Sequence, residues 1–272
     1  MTSNSTLIAP TENRLRFGQI AEQYDRIRPG YPEELIDAVF DYGNPDPFLP
    51  ALDVGAGTGQ ATLQFAARGQ RVIALEPSRD MVEIANAKFA AAGIDATAVV
   101  GEFETAALEE NGFALIYAAT AWHWLNPETC FEVAARAVAP GGTLAVLSTW
   151  PLWRRTALRG ALDDVYVRSG APLAAMGPMC PVEPDPGALA REWMRETSAT
   201  GAFGDQQGKL AHWSVTYTAQ AYVDLLGTYG DHIGLEPDVR ERLFDGVRQA
   251  IEAAGGSIEL PYATLLLLAR SR

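Results

Sequence analysis

Leu52-Asp53-Val54-Gly55-Ala56-Gly57-Thr58-Gly59-Gln60 is the stretch on which the fold turns. Ala51-Leu52-Asp53-Val54 has the apolar character of a short strand, and a helix is expected from Gln60 to about Arg68. The glycines between them therefore form a strand-to-helix turn. At the carboxyl edge of a sheet such a turn brings backbone N–H groups close to a ligand, where side chains would block the approach. A glycine triplet alone does not separate a ligand-binding turn from a structural one. The spacing does more. A dinucleotide turn, G-x-G-x-x-G, needs glycine where Gln60 stands, whereas this one is G-x-G-x-G with Asp53 two residues ahead.

Outward from the turn, strand and helix alternate. Arg71 to Leu75 is a second strand, and Ser78 can cap a helix running to about Ala92. Ala96 to Val100 and Phe113 to Ala119 are a third and a fourth strand. Pro127 starts a helix that stops at Ala139-Pro140-Gly141-Gly142, and Thr143 to Ser148 is a fifth strand. Repeated β-α-β units with short connections imply a mostly parallel sheet with helices on both faces. Ahead of it, Phe17 to Arg28 and Glu33 to Tyr42 are two helices, separated by Pro29-Gly30-Tyr31-Pro32. After Trp150 the alternation breaks. Residues 151–208 are expected to be a helical, loop-rich lid. Leu210 to Tyr217 is a sixth strand, Ala219 to Tyr229 and Pro237 to Ala254 are helices, and Tyr262 to Ala269 is the last strand. The expected organisation is one domain over 1–272, with a cap at 17–45, a core at 46–150, the lid at 151–208 and a completion of the sheet at 209–272.

The totals bound the function. The net charge of −13 repels a phosphate backbone, and basic spots such as Arg154-Arg155 have no interleaved aromatic stripe, so nucleic acid is not the expected partner. No apolar run approaches the ~18–20 residues that span a bilayer, and Met1 to Thr6 lacks the basic and apolar regions of a signal peptide. A cytoplasmic monomer or homodimer is the default. The only cysteines, Cys130 and Cys180, indicate neither a disulfide framework nor a zinc site, and no metal is expected. Of 21 basic residues only Lys88 and Lys209 are lysine, a weak hint of a GC-rich bacterial genome.

Two further strand ends carry carboxylates. Glu76 follows the second strand, where a carboxylate can accept both ribose hydroxyls. Gly101-Glu102-Phe103 follows the third, where a carboxylate can take an adenine amino group; Glu104 competes with Glu102 for that place. With these residues the chain resembles the class I S-adenosylmethionine-dependent methyltransferase family. Ala21 to Pro32, Ala121-Trp122-His123-Trp124-Leu125, Ala139 to Leu144 and Leu260 to Thr264 are similar to its small-molecule branch, which includes trans-aconitate-type methyltransferases. The resemblance covers roughly residues 17–149 and, more loosely, 210–270.

That resemblance implies a Rossmann-like fold with a seven-stranded sheet, and S-adenosylmethionine as methyl donor to a small molecule. It implies that Asp53, Gly55, Gly57 and Gly59 face the methionine end of the cofactor, that Glu76 holds the ribose, and that Glu102 with Phe103 holds the adenine. It also places Ala119 against the cofactor, with Tyr24 and Arg28 reaching over it and Arg28 pairing with a carboxylate. His123, after the fourth strand, is either a general base or part of the pocket wall. Trp122, Trp124, Trp150 and Trp153 either line the acceptor pocket or pack the core. His212 and His232 belong to no constellation visible in the sequence. Two rival readings stay open: a nicotinamide-dependent oxidoreductase on a similar sheet, and a protein of this fold that binds the cofactor without transferring methyl.

Overall fold

The computed structural model describes residues 21–172 and 183–272. Phe17 and Ile20 of the expected first helix, and Cys180, lie outside them. In chain order the elements are α1 (Ala21–Ile27), α2 (Glu33–Gly43), β1 (Ala51–Val54), α3 (Gln60–Ala66), β2 (Val72–Glu76), α4 (Arg79–Ala92), β3 (Ala96–Val100), β4 (Phe113–Ala119), α5 (Cys130–Ala137) and β5 (Val138–Pro151). There follow α6 (Arg159–Ser169), α7 (Pro186–Ala199), β6 (Phe203–Thr218), α8 (Ala219–Leu226), the single turn α9 (Gly230–Ile233), α10 (Pro237–Ala253) and β7 (Ser257–Ser271). Short 3-10 turns occupy Trp122–Trp124 and Trp153–Arg155.

The strands form one seven-stranded sheet in the order β3-β2-β1-β4-β5-β7-β6. β1 to β5 pair in parallel, and β7 runs antiparallel to both β5 and β6. Strand order reverses between β1 and β4, so a crevice opens at their carboxyl ends, where sheets of this type bind ligands. The central strands are buried on both faces, which is why β4 is an unbroken apolar run, Phe113-Ala-Leu-Ile-Tyr-Ala-Ala119. Phe131, Ala134 and Trp193 bring α5 and α7 onto one face, against Leu144, Val146 and Leu267. Leu35, Ile36 and Phe65 bring α2 and α3 onto the other, against Leu115, Tyr117 and Leu266. A separate cluster joins α6, α8 and α10 through Tyr166, Tyr222, Leu243 and Val247.

Several element limits move. The helix expected from Pro127 starts at Cys130, and it ends at Ala137 because Val138 already pairs with Phe113. A register shift lets Ala139-Pro140-Gly141-Gly142 bulge before Thr143 pairs with Leu115, so β5 contains the turn that was expected to precede it. The sixth strand starts at Phe203 rather than Leu210. Its first half, Gly204-Asp205-Gln206-Gln207-Gly208, is polar because β6 is an edge strand with only β7 beside it. β7 likewise extends beyond Tyr262–Ala269 on both sides.

The expected lid is divided. Residues 203–208 belong to the sheet, and α7 covers the sheet through the buried Trp193. α6 packs against α10 rather than over the crevice. No helix among the described residues is long and apolar enough to cross a membrane.

Candidate functional site

The glycine turn is tied to β2 from below. Gly55 and Ala56 donate their N–H groups to the Leu75 carbonyl at 2.8 and 3.1 Å, and Gly59 donates to Ala56 at 2.9 Å. These donors are thus satisfied inside the protein, and what the turn offers a ligand is bare backbone at close range. Two glycines show why. At Gly59, with φ of +82°, a Cβ would sit 2.5 Å from the Phe89 ring and push α3 away from α4. At Gly57, with φ of +58°, the nearest atom to a Cβ would be Tyr24 Cε1 at 3.9 Å, so that position opens toward the cleft.

Glu76, at the end of β2, accepts from the Gly57 N–H at 3.0 Å and from the Ser78 N–H at 2.9 Å. The glycine turn and the start of α4 are thereby tied through one carboxylate, which retains acceptor capacity because each oxygen can take more than one bond. Asp53, 1% exposed, accepts from the Thr62 hydroxyl at 2.6 Å through Oδ2, while its buried Oδ1 has no partner among the described residues. Burial pushes its carboxyl up to about 7; the Thr62 and Tyr117 hydroxyls pull the other way and the Glu76 charge adds to the rise.

The cleft above these groups has a volume of about 520 Å³. Its floor is Asp53, Gly55, Gly57, Glu76 and Ala119, and Leu75, Met81 and Phe103 make its apolar end. From the N-terminal side Tyr24 and Arg28 cover it. Arg28 donates Nε to the Thr228 hydroxyl at 3.0 Å and Nη2 to the Thr228 carbonyl at 3.1 Å. Its guanidinium lies 4.1 Å from the Tyr229 ring centroid and 5.0 Å from that of Tyr24. No carboxylate among the described residues pairs with Arg28. The side chain of Gln60 donates to the Asp25 carbonyl at 2.9 Å and so docks α1, which is a use for a residue at the position where a dinucleotide turn has glycine.

The structure corrects the adenine-side carboxylate. Glu102 is exposed and outside the cleft, and its backbone carbonyl turns the chain by accepting from Thr105 and Ala106. Glu104 lines the cleft instead, with its Oε1 accepting from the Asn126 N–H at 2.9 Å. The tryptophans separate as well. Only Trp124 lines the main cleft. Trp122 packs on Phe131 and Phe103, at centroid distances of 5.1 and 6.2 Å. Trp150 and Trp153 line a second cavity of about 150 Å³. His123 stands exposed on the rim beside Trp124, and desolvation by the cleft walls lowers its pKa, so the ring is neutral at pH 7.

Several cleft residues were assigned no role from the sequence: Tyr31, Thr120, Tyr229, Asp231 and Tyr262. Tyr31 and Thr120 share a 3.2 Å hydrogen bond, and Thr120 has φ of +57°. That strained residue directly after β4 marks the crevice in the structure and leaves no mark in the sequence.

The residues present fit an adenosyl sulfonium carrying an amino acid. Arg28, beside which no carboxylate stands among the described residues, suits a carboxylate, Glu76 a ribose and the Leu75–Phe103 end a flat base. The fold that carries this cleft is that of the class I methyltransferases. Residues 51–142 match a family model described as a methyltransferase domain. An uncharacterized methyltransferase of Mycobacterium tuberculosis is 28% identical over 260 residues, which is 94% of this chain and 95% of that protein.

Solved structures show the same fold. The YcgJ protein of Bacillus subtilis superposes with a TM-score of 0.55 at 17% identity, over 89% of this chain and 99% of that one. Phosphoethanolamine N-methyltransferase 2 of Haemonchus contortus, solved with S-adenosyl-L-methionine, gives 0.55 at 14% identity, over 100% of this chain and 61% of that one. Residues 51–142 thus match a methyltransferase domain, and the fold around them is that of the class I, S-adenosylmethionine-dependent methyltransferases.

Proposed function

We propose that the chain transfers the methyl group of S-adenosylmethionine to a small-molecule acceptor bound in the same cleft as the cofactor. One observation carries the size of the acceptor. The cleft is roofed from two sides, by Tyr24 and Arg28 and by Tyr229, Gly230 and Asp231, within about 520 Å³. That is the scale of small-ligand sites, typically ~300–1,000 Å³, which supports a small acceptor. The charge of the lining speaks to the kind of acceptor. Among the described residues of this cleft, Asp53, Glu76, Glu104 and Asp231 face one cation, Arg28, an environment that disfavours the polycarboxylate of a trans-aconitate-type reaction.

The bound sulfonium supplies an activated methyl group, so the protein needs no covalent step of its own. Its residues hold and align. Glu76 and the bare backbone at Gly57 fix the sugar, Arg28 and Asp53 hold the two charged ends of the amino acid, and the roof excludes water. Orientation of this kind is worth up to ~7–11 kcal/mol. His123, neutral on the rim, is placed to wall the acceptor's approach; replacement by alanine should leave cofactor affinity unchanged, and a fall in turnover would show that it also takes a proton.

The test is calorimetric titration with S-adenosylhomocysteine, followed by tritium transfer from methyl-labelled cofactor to a metabolite panel. Glu76→Ala should weaken binding by ~1.5–3 kcal/mol for each charge-assisted bond lost. Unchanged affinity in that variant would remove the ribose assignment. Label appearing only on protein or RNA would remove the small-molecule acceptor.

A further inference from the structure

Resting on the methyl-transfer reading above, we propose that Asp231 is the acceptor-side base, held in place by a buried His232–Tyr166 pair, for an aromatic acceptor bearing an O–H or N–H nucleophile. Asp231 stands where the two cavities meet. The cleft and the smaller cavity share Pro151, Tyr229 and Asp231, and the smaller one is further lined by Trp150, Trp153 and Pro184, with Arg154 and Glu183 as its other charged residues. An acceptor whose flat apolar body fills the tryptophan-lined cavity therefore presents its reacting edge beside Asp231, facing the cofactor's cleft.

The carboxylate is oriented. Asp231 Oδ1 accepts from the His232 backbone N–H at 2.8 Å and lies 2.7 Å from His232 Nδ1. His232 Nε2 is 2.6 Å from the Tyr166 hydroxyl. Both His232 and Tyr166 are buried, and burial holds the Tyr166 phenol well above its ordinary pKa, so it stays protonated and shares one hydrogen with Nε2. Nδ1, set against the Asp231 carboxylate, carries the proton that it donates there. With Oδ1 pinned by two donors, Oδ2 takes no bond from the described residues, and the side chain is 39% exposed. His123 has no comparable support: its ring makes contact with Trp124 and no hydrogen bond among the described residues orients it.

The step balances without a further reactant. The acceptor heteroatom's lone pair forms the new bond to the methyl carbon, and the carbon–sulfur bond breaks with its electron pair remaining on sulfur. The heteroatom's proton passes to Asp231 Oδ2 and from there to water. His232 and Tyr166 are positioning residues and touch neither reactant.

The experiment uses the full chain and four probes: naphthol, hydroxyindole, aminoindole and tricarballylate. The wild type should methylate at least one of the aromatic probes and not tricarballylate. With S-adenosylhomocysteine bound, that probe should quench tryptophan fluorescence, and Trp150→Leu should lose the quenching. Asp231→Asn should lower kcat by roughly a hundredfold, within the 10²–10⁴ range of general-base catalysis, with acceptor KM and S-adenosylhomocysteine affinity unchanged. Tyr166→Phe removes one supporting bond and should lower kcat roughly threefold to tenfold at constant KM. Wild-type kcat in Asp231→Asn overturns the proposal. So does methylation of tricarballylate alone, or of no aromatic probe by a protein that binds S-adenosylhomocysteine. Absence of S-adenosylhomocysteine binding to the wild type would instead bring down the cofactor reading beneath it.

Discussion

Asp53 holds a carboxyl in nearly complete burial with one oxygen unpartnered, and its pKa of about 7 against an ordinary 3.8 has two consequences of opposite sign. In the ligand-free protein the folded state binds the proton more tightly than the unfolded state does. The stability this group contributes is therefore full below about pH 4 and is lost as pH rises through about 7. A cofactor ammonium in the cleft over Asp53 favours the ionised form through space instead, so binding should expel the proton. At pH 6, calorimetry in two buffers of different ionisation enthalpy should show close to one proton released per S-adenosylhomocysteine bound, and Asp53→Asn should abolish the difference. Equal heats in both buffers would detach Asp53 from the ammonium. Gly57 makes a second residue-scale case. Alanine there has room against the protein but requires a left-handed backbone and points its methyl into the cleft. Gly57→Ala should destabilise the fold by ~1 kcal/mol and weaken S-adenosylhomocysteine binding by more than tenfold, and a variant with wild-type affinity would show that the cofactor lies elsewhere.

Helix α1 is anchored by side chains far along the chain, with Lys88 at the centre. Its ammonium reaches Asp25 on α1 at 2.5 Å, the Thr58 carbonyl of the glycine turn at 3.0 Å, and the Gln60 side chain at the start of α3. One cation thus ties the cover to the turn it covers. Lys88→Ala should leave the sheet intact, speed hydrogen exchange over 21–28 and weaken cofactor affinity by roughly tenfold, the equivalent of ~1.4 kcal/mol. Unaltered exchange would mean that α1 is held by its other ties, among them Gln60 on the Asp25 carbonyl and Gln23 on the Asp224 carbonyl. The elements around the turn were legible because their signals are local: Ser78 does cap α4, accepting from the Met81 N–H, and β1, β3 and β4 have the limits that their apolar runs predict. Edge strand β6 was not, since a strand covered on one side only can be polar, and Asp205-Gln206-Gln207 offers no apolar alternation. Glu102 was preferred to Glu104 for a similar reason. The choice depends on how a turn after β3 rotates, and only the Glu104 bond to the Asn126 N–H reveals it.

Across the whole molecule, the cofactor half of the cleft is drawn from one contiguous stretch while the other half is assembled from distant ones. Asp231, Tyr166 and Trp150 lie on three segments of the chain, and His232 shows its purpose only once Tyr166 is folded against it. Of the proposed acceptor side, the sequence therefore picked out Trp150 and Trp153, with core packing as their alternative, while Asp231 and Tyr166 fall in no motif or spacing. The same assembly makes a prediction about stability, because a ligand in the cleft touches the N-terminal helix, the glycine turn, the end of β4 and the segment after α8 together. Binding should then stabilise the chain as one cooperative unit. At a hundredfold excess over its dissociation constant, S-adenosylhomocysteine should contribute ~2.7 kcal/mol. At ~2–4 °C per kcal/mol for a chain of this size, Tm should rise by ~5–10 °C. Glu76→Ala, tested at the same concentration, should show less than half that rise. A single melting transition that moves as a whole is the expected result. Two transitions, of which only one responds to the ligand, would show that the part of the chain after β5 folds independently and that the roof over the cleft is not coupled to its floor.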